Sequence, residues 1–571
     1  MCGIFALLNN QDSTNTINAN FQKGKQRGPE FSSLNTNAEG LVLGFHRLAI
    51  NGLNAESNQP FEINNIVLIC NGEIYNYKQL YECLEVSPVT NSDCEVIIHM
   101  YLKYGMEQTL IMLDGVFAFV LYDKRNPIHK IYVARDPLGV RPLYYLTRSD
   151  HDCRLDYAFA SEIKCLTDLH NNTTDSCIEQ FTPGTFSSFI RLSKSYPLWD
   201  PLWDPLQENV AYFIPSFSHN WLSNVMPSNI IYSQISSYLN EAVIKRCLTT
   251  ERPIACLLSG GLDSSLIAAL VNNFYNINHI PNKLETYSIG LQDSEDLKYA
   301  KIVAEYLGTN HTEIIVTEQE MCDAIPEVIY AIESYDTTTV RASIGNYLLG
   351  KYIAKHSEAK VIFNGDGADE LFGGYLYMHK CPDDIEFDKE IRRLLTDIHL
   401  FDVLRSDKCI SSHGLEPRTP FLDKNVVNFV LSLTPYFRNH KNHKIDNKNT
   451  EKYILRHSFS DAYFKNYNNN PLLPDSILWR RKEAFSDGVS SQGRTLYKII
   501  QEYCATCLNE QDQDQGQQET IYLPCIETEK YYYKQLFDKL YPNCDTLLPY
   551  FWMPKYIVAT DPSARTLDLY K

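Results

Sequence analysis

The sequence predicts an α/β protein assembled from two unlike parts, on three observations. Short apolar runs broken by turn signals fill the first part, strands alternate with helices after about residue 225, and a proline-rich stretch separates the two patterns. Its 571 residues exceed what one hydrophobic core usually supports, so at least two domains are expected, and a hydrophobic fraction of 44% is enough to fill them.

In chain order, Ile66 to Cys70, Val116 to Tyr122 and Ile131 to Ala134 read as strands bounded by Asn-Gly and Asp-Pro turn signals, which makes the first part sheet-rich. Between Ser193 and Ser216 prolines accumulate around a tandem repeat, Pro197-Leu198-Trp199-Asp200 followed by Pro201-Leu202-Trp203-Asp204. Two copies are too few for a repeat fold, so this stretch reads as a linker. The expected units are residues 2–192, a linker over 193–225, and residues 226–571. In the last of these, strand Ile254 to Leu258, helix Asp263 to Asn273, strand Thr286 to Ile289, helix Asp296 to Leu307 and strand Lys360 to Phe363 imply a parallel sheet. Leu508 to Thr520, dominated by Gln, Asp and Glu, reads as a surface loop.

A formal net charge of −18 and the lack of any Lys/Arg-rich run argue against nucleic acid as a partner and point to small-molecule substrates. No run approaches the roughly 20 apolar residues that span a bilayer, and no basic-then-apolar leader opens the chain, so a soluble cytoplasmic protein is expected. The 16 cysteines lack metal-type spacing; Cys504 and Cys507 form a close pair that stands alone. Most should be free thiols packed as small hydrophobes.

Cys2 differs from the rest. Removal of Met1 would leave a thiol beside its own α-amine, whose pKa of about 8 suits it to act as the thiol's base. Alone, a cysteine at position two means little. Three further segments change that. Asn71-Gly72, placed after an apolar strand, offers a side-chain amide and a backbone N–H that can hold an oxyanion. Arg47 can receive a carboxylate and Asp93 an ammonium group, which together match the α-groups of glutamine. Taken singly, these would be a hairpin turn, a surface ion pair and a helix cap.

In the second part, the strand ending at Leu258 runs into Ser259-Gly260-Gly261-Leu262-Asp263-Ser264-Ser265 at a helix start, which forms an anion cradle of backbone N–H groups, hydroxyls and helix dipole. It is neither a Walker loop, for want of the Gly-Lys-Ser/Thr ending, nor a dinucleotide fingerprint, for want of a third spaced glycine. Asn364-Gly365-Asp366-Gly367-Ala368-Asp369-Glu370 brings three carboxylates to the end of another strand, where they can hold Mg2+ and supply a base. Lys482, within Trp479-Arg480-Arg481-Lys482-Glu483, can neutralise charge on phosphate oxygens, although adjacent basic residues are more often a solvated face. Thr338, Thr339 and Arg341 sit at a helix start that either grips an amino-acid carboxylate or merely caps the helix.

Through Met1-Cys2-Gly3-Ile4, Arg27-Gly28-Pro29, Asn71-Gly72-Glu73-Ile74-Tyr75-Asn76 and Arg135-Asp136-Pro137-Leu138-Gly139-Val140-Arg141-Pro142-Leu143, the first part resembles the class II glutamine amidotransferases. The two loops of the second part, with Tyr375-Leu376-Tyr377-Met378-His379-Lys380, Pro420-Phe421-Leu422-Asp423 and Trp552-Met553-Pro554-Lys555, extend the likeness over nearly the whole chain, which resembles the glutamine-hydrolysing asparagine synthetase family. The resemblance implies an N-terminal nucleophile αββα sandwich followed by an ATP pyrophosphatase domain of the adenine nucleotide α-hydrolase type. It implies Cys2 as nucleophile, Asn71 and Gly72 as oxyanion hole, and Arg47, Asp93 and Glu73 around glutamine. It further implies Ser259 to Ser265 on pyrophosphate, Leu257, Ile289, Asn364 and Gly365 around ATP, Asp263 and Asp369 on Mg2+, Lys482 on the phosphates, and Thr338, Thr339 and Arg341 near aspartate. Pairing of chains into a homodimer is a further implication.

One departure stands out: the family's usual Ser-Gly-Glu-Gly-Ser-Asp-Glu is here Asn364-Gly365-Asp366-Gly367-Ala368-Asp369-Glu370. The carboxylate assigned to ammonia attack is thus withdrawn by about 1.5 Å, and a misplacement of about 1 Å can cost on the order of a hundredfold in rate. Changes at Asn364 and Ala368 flank the same position, so the expectation is a reshaped loop that compensates. Two rival readings remain. A β-lactam-forming synthetase shares the architecture but typically lacks the terminal cysteine. A non-catalytic nucleotide-binding protein would account for the altered loop but not for the other groups retained.

Overall fold

The computed structural model describes residues 2–36, 40–149, 155–170, 176–191, 202–214, 226–443, 450–483, 485–490, 493–514 and 521–567. Among the described residues the short apolar runs of the first part give twelve strands: β1 (Gly3–Leu8), β2 (Phe31–Thr36), β3 (Val42–Arg47), β4 (Phe61–Ile63), β5 (Ile66–Ile74), β6 (Gly115–Asp123), β7 (His129–Arg135), β8 (Tyr144–Ser149), β9 (Leu155–Ala160), β10 (Ser176–Gln180), β11 (Thr185–Arg191) and β12 (Trp203–Ala211). They form two six-stranded antiparallel sheets, in the orders β10-β8-β9-β1-β3-β2 and β12-β11-β7-β6-β5-β4. Because successive side chains point to opposite faces, the central strands β1, β5 and β6 each serve two cores. Ile4, Ala6, Ile69, Ala118 and Val133 meet between the sheets. On one outer face Phe5 and Leu7 pack against the helix Thr14–Gln22; on the other, Leu68, Phe117 and Phe119 pack against the helices Tyr77–Leu84, Val96–Tyr104 and Met106–Met112. The result is an αββα sandwich.

The second part contains β13 (Ile254–Leu257), β14 (Glu285–Gly290), β15 (Asn310–Ile315), β16 (Val361–Phe363) and β17 (Glu416–Arg418), all parallel and ordered β15-β14-β13-β16-β17. Ile254 and Cys256 face the helix Leu262–Ile277, while Ala255 and Leu257 face the helix Thr337–His356 and Ile410. Burial on both faces is what a parallel sheet requires. Both glycine-containing loops leave the carboxyl ends of neighbouring central strands, β13 and β16, the crevice where open α/β sheets bind ligands.

Three expectations are corrected. Asn71-Gly72 is not a turn: β5 continues to Ile74, with Asn71 opposite Ala118 and Gly72 opposite Phe117, because strand pairing outweighs the local turn preference. Part of the expected linker is β12, paired with β11, and Trp203 from the second repeat copy is buried between the sheets, edge-on to Tyr122 at 5.6 Å. The first copy, 197–200, lies outside the described residues. The expected loop at Leu508 is helical to Asp514, because the helix Leu496–Asp514 buries Leu496, Ile499, Ile500 and Cys504 on one face and can carry a polar tail; 515–520 lie outside the described residues.

Asn9 staples Trp203 by two hydrogen bonds, Trp203 N–H to Asn9 Oδ1 (2.8 Å) and Asn9 Nδ2–H to the Trp203 carbonyl (2.9 Å). Trp203→Ala is expected to lower stability by about 3–5 kcal/mol, to be measured as a shifted denaturant midpoint; an unchanged midpoint would show that β12 is not part of the first core.

Candidate active site

Cys2 immediately precedes β1 at the edge of the inter-sheet core. Its N–H donates to Asn71 Oδ1 (3.1 Å) and its Sγ lies 3.7 Å from the Leu48 carbonyl. Removal of Met1 would turn that N–H into the α-amine. The Asn71 amide nitrogen is buried with no hydrogen-bond partner, an idle donor beside the thiol of the kind that an oxyanion requires. Gly72 is a glycine by necessity, since a Cβ there would lie 2.5 Å from the Val116 carbonyl oxygen. Burial raises the Cys2 thiol pKa, opposed by the amino terminus, the Leu48 hydrogen bond and Arg47.

Arg47 donates to the Asn51, Gly52 and Asn54 carbonyls and to Asn58 Oδ1, all neutral acceptors. Among the described residues no carboxylate lies within ion-pair distance of it, so its charge is available. Asp93 and Glu73 converge on the Asn51 amide at 3.4 and 2.7 Å, and Asp93 also accepts the Ile74 N–H at 2.6 Å. Burial raises both carboxyl groups, that of Asp93 to about 6. Arg47 thus gives a cationic pole near the thiol, and Glu73 and Asp93 an anionic one around Asn51. The Arg135–Leu143 segment is a knot: Asp136 accepts the N–H groups of Leu138, Val140 and Arg141, while Arg135 binds the Arg141 and Gly139 carbonyls.

At the other site a single cavity is lined by Leu257, Ser259, Gly261, Asp263, Ser264, Ile289, Thr338, Thr339, Asn364, Gly365, Asp366, Asp369 and Lys482. Gly260 bends the first loop at φ +72°, where a Cβ would overlap the Ala300 nitrogen at 2.4 Å. Gly365 lets the second loop touch the first, its absent Cβ lying 2.7 Å from the Asp263 carbonyl carbon. No side chain caps the helix that begins at Leu262, and the Ser259 and Ser264 hydroxyls lie 3.0 Å apart across the loop. Lys452 reaches Asp263 (2.5 Å) and Asp369 (2.6 Å), and Lys482 reaches Asp369 (2.5 Å). Burial opposes ionisation of Asp369, but the two lysines outweigh it and hold its pKa well below the usual range.

The family model described as asparagine synthase matches residues 234–386 and 381–556, and that described as a glutamine amidotransferase domain matches residues 1–189. Curated glutamine-hydrolysing asparagine synthetases from Homo sapiens (40% identical), Rattus norvegicus (39%) and Mus musculus (39%) align over 587 positions, covering 100% of this chain and 99% of each relative. The chain belongs to the asparagine synthetase family. The β-lactam-forming alternative is thereby set aside.

Two residues expected at the synthetase site are elsewhere. Arg341 is buried outside the cavity, held bidentately by Glu529 (2.8 Å from Nε) and Asp561 (2.8 and 2.9 Å); the helix turns Thr338, Thr339, Ala342 and Asn346 to the cavity, and Arg341 falls off the edge of that stripe. Ser265 is fully buried on the core side of its helix and does not line the cavity. Conversely, sequence reasoning missed Lys452, isolated in a polar stretch, and Arg405, which bridges Asp402 and Asp366. The acidic loop alone signalled that such cations must exist, since carboxylates this buried need partners.

Asp366 shows how the altered synthetase loop is held. One carboxylate oxygen lies 3.5 Å from Arg405 and the other is buried without a hydrogen-bond partner. Asn364 donates to Ser406 Oγ (2.6 Å) and accepts the Asp366 N–H (3.3 Å), so its longer side chain pins the loop to the helix Asp402–Ser411. Asp263 and Asp369 fit a divalent cation: Asp263 Oδ1 is buried without a hydrogen-bond partner, and both carboxylates face the cavity that carries the anion loop.

Removing a partner from a buried ion pair strands the other charge, which costs about 3–5 kcal/mol. Arg341→Met is therefore expected to lower the melting midpoint, read by calorimetry, and to leave the aspartate KM within about twofold; a large KM rise at unchanged stability would instead return Arg341 to the substrate site.

Proposed function

We propose that this chain converts L-aspartate to L-asparagine, consuming MgATP and L-glutamine and releasing AMP, pyrophosphate and L-glutamate. The observation that carries the reading is the pair of sites: an idle buried amide beside a terminal thiol, and a two-glycine anion loop facing Lys452 and Lys482 across Asp263 and Asp369. In the first, the α-amine of processed Cys2 takes the thiol proton and the thiolate attacks the glutamine amide carbon; the Asn71 amide and Gly72 N–H hold the oxyanion, the α-ammonium returns the proton to the nitrogen, which leaves as ammonia, and water releases glutamate from the thioester. Arg47 receives the glutamine α-carboxylate; Asp93 and Glu73 receive its ammonium.

In the second, the aspartate β-carboxylate attacks the α-phosphorus of ATP, pyrophosphate departs into the Ser259–Ser264 loop, and an acyl-adenylate forms. Thr338 and Thr339 flank aspartate, Leu257 and Ile289 the nucleotide, and Lys482 and Lys452 offset phosphate charge. Asp263 and Asp369 would hold Mg2+, which supplies further charge neutralisation to the pyrophosphate. Asp366 takes a proton as ammonia attacks the acyl carbon, which its unpartnered oxygen suits. Ammonia released into water at neutral pH would protonate, so the two sites need a shielded passage between them. The reading carries a cytoplasmic location and a homodimer with it.

Asparagine, AMP, pyrophosphate and glutamate should all appear when the full chain is given aspartate, MgATP and either glutamine or ammonium; no asparagine from either donor would sink the proposal. Cys2→Ala should cut glutamine-fed synthesis by at least about a hundredfold with the ammonia-fed rate kept, whereas Asp366→Asn should cut both by about 10²–10⁴-fold.

Because burial raises the Asp93 carboxyl to about 6, it is protonated below that pH and loses its attraction for an ammonium. The glutamine KM should therefore rise as pH falls through about 6, and Asp93→Asn should show a KM already high at neutral pH, with only the Glu73 carboxyl left to titrate there. A KM flat between pH 5 and 8 in the unaltered chain would remove Asp93 from the glutamine site.

A further inference from the structure

Arg418, the last residue of β17, touches both halves of the molecule at once. Its guanidinium is buried, bound to the Arg246 and Thr249 carbonyls (2.7 Å to the latter) and to Glu416 (2.8 Å), and 3.5 Å from Glu73 of the glutamine pocket. Its own carbonyl accepts the N–H of Asn364 at 3.1 Å, and in register it lies beside Phe363. Asn364 in turn holds the Asp366 N–H. One residue thus has its side chain on a carboxylate of the amidase site and its backbone on the first residue of the synthetase loop.

Glu73 and Asp93 lie buried together with Arg418 and Glu416, and the ion-pair distance from Glu73 to Arg418 is longer than that from Glu416. A second cation beside Glu73 would take over its charge and leave the guanidinium to Glu416, drawing on the strand whose carbonyl holds the synthetase loop. Resting on the function proposed above, we propose that Arg418 is a positioning residue that reports glutamine binding to the Asn364–Asp369 loop, the glutamine α-ammonium competing with its guanidinium for Glu73.

The test uses the full chain carrying Cys2→Ala, so that glutamine binds without releasing ammonia, and follows ammonia-fed asparagine formation with and without glutamine. Glutamine should change that rate by about fivefold or more, the lower end of typical coupling between sites. Adding Arg418→Met should abolish the response while ammonia-fed synthesis stays measurable, and Arg418→Lys, which keeps the charge but not the fork, should restore part of the response. A rate indifferent to glutamine, or a response that survives Arg418→Met, overturns the proposal. So does loss of the ammonia-fed rate in both Arg418 variants, which would make the residue merely structural. Absence of ammonia-fed synthesis in Cys2→Ala alone would instead bring down the functional reading.

Discussion

The two halves meet across a buried seam of arginines and carboxylates, and both sites depend on it. Arg27 donates to the Cys2 carbonyl (3.0 Å) and to Asp407 (2.8 Å), with Glu162 at 3.5 Å; Arg141 lies 3.4 Å from Asp407 and 3.6 Å from Glu416; Arg418 joins Glu416 to Glu73. All are essentially dry. Desolvating so many charges costs several kcal/mol per ion, and only near-complete pairing offsets that. The seam therefore fixes how the first half sits on the parallel sheet of the second. Lys408, paired with Glu333, whose carboxylate also accepts the Ile163 and Lys164 N–H groups at 2.9 Å, extends it along the same helix.

That arrangement explains why the terminal cysteine and the synthetase loop can be linked without direct contact. The helix Asp402–Ser411 carries Arg405 toward Asp366 and Asp407 toward Arg27. Strand β17 carries Glu416 and Arg418 toward Glu73 of the first part while its backbone pairs with β16, from which the Asp366 loop departs. Rigid elements rather than flexible loops hold the groups on which each half-reaction would depend, as precise placement of reacting groups demands.

Charge balance separates the two sites. At the synthetase cavity Lys452 and Lys482 both reach Asp369 and keep it ionised, a setting suited to polyphosphate and a metal ion. At the Glu73–Asp93 pocket both carboxyl groups are raised by burial and lowered by Arg418, a setting that favours an arriving ammonium. Beside Asp366, the Asn364 amide bonds Ser406 and its oxygen holds the Asp366 N–H, so two of the residues in which this loop differs from the family's usual one are joined by a hydrogen bond.

Local patterns in the sequence determined a good deal: the strand-helix alternation of the second part, the anion loop at Ser259, the acidic loop at Asn364 and the terminal Cys2 were legible because each depends on residue type and close spacing. Fold class followed from the same periodicities, and ligand roles from the family likeness. Tertiary structure alone decided the rest. Strand pairing turned Asn71-Gly72 from a turn into mid-strand, core packing drew Trp203 out of a linker, and Arg341 went to Glu529 and Asp561, 188 and 220 residues away in sequence. Lys452, Arg405 and Arg418 acquired their places the same way. A buried charge takes whichever opposite charge the fold brings within a few ångströms, and that neighbour is set by long-range packing, which no local spacing records.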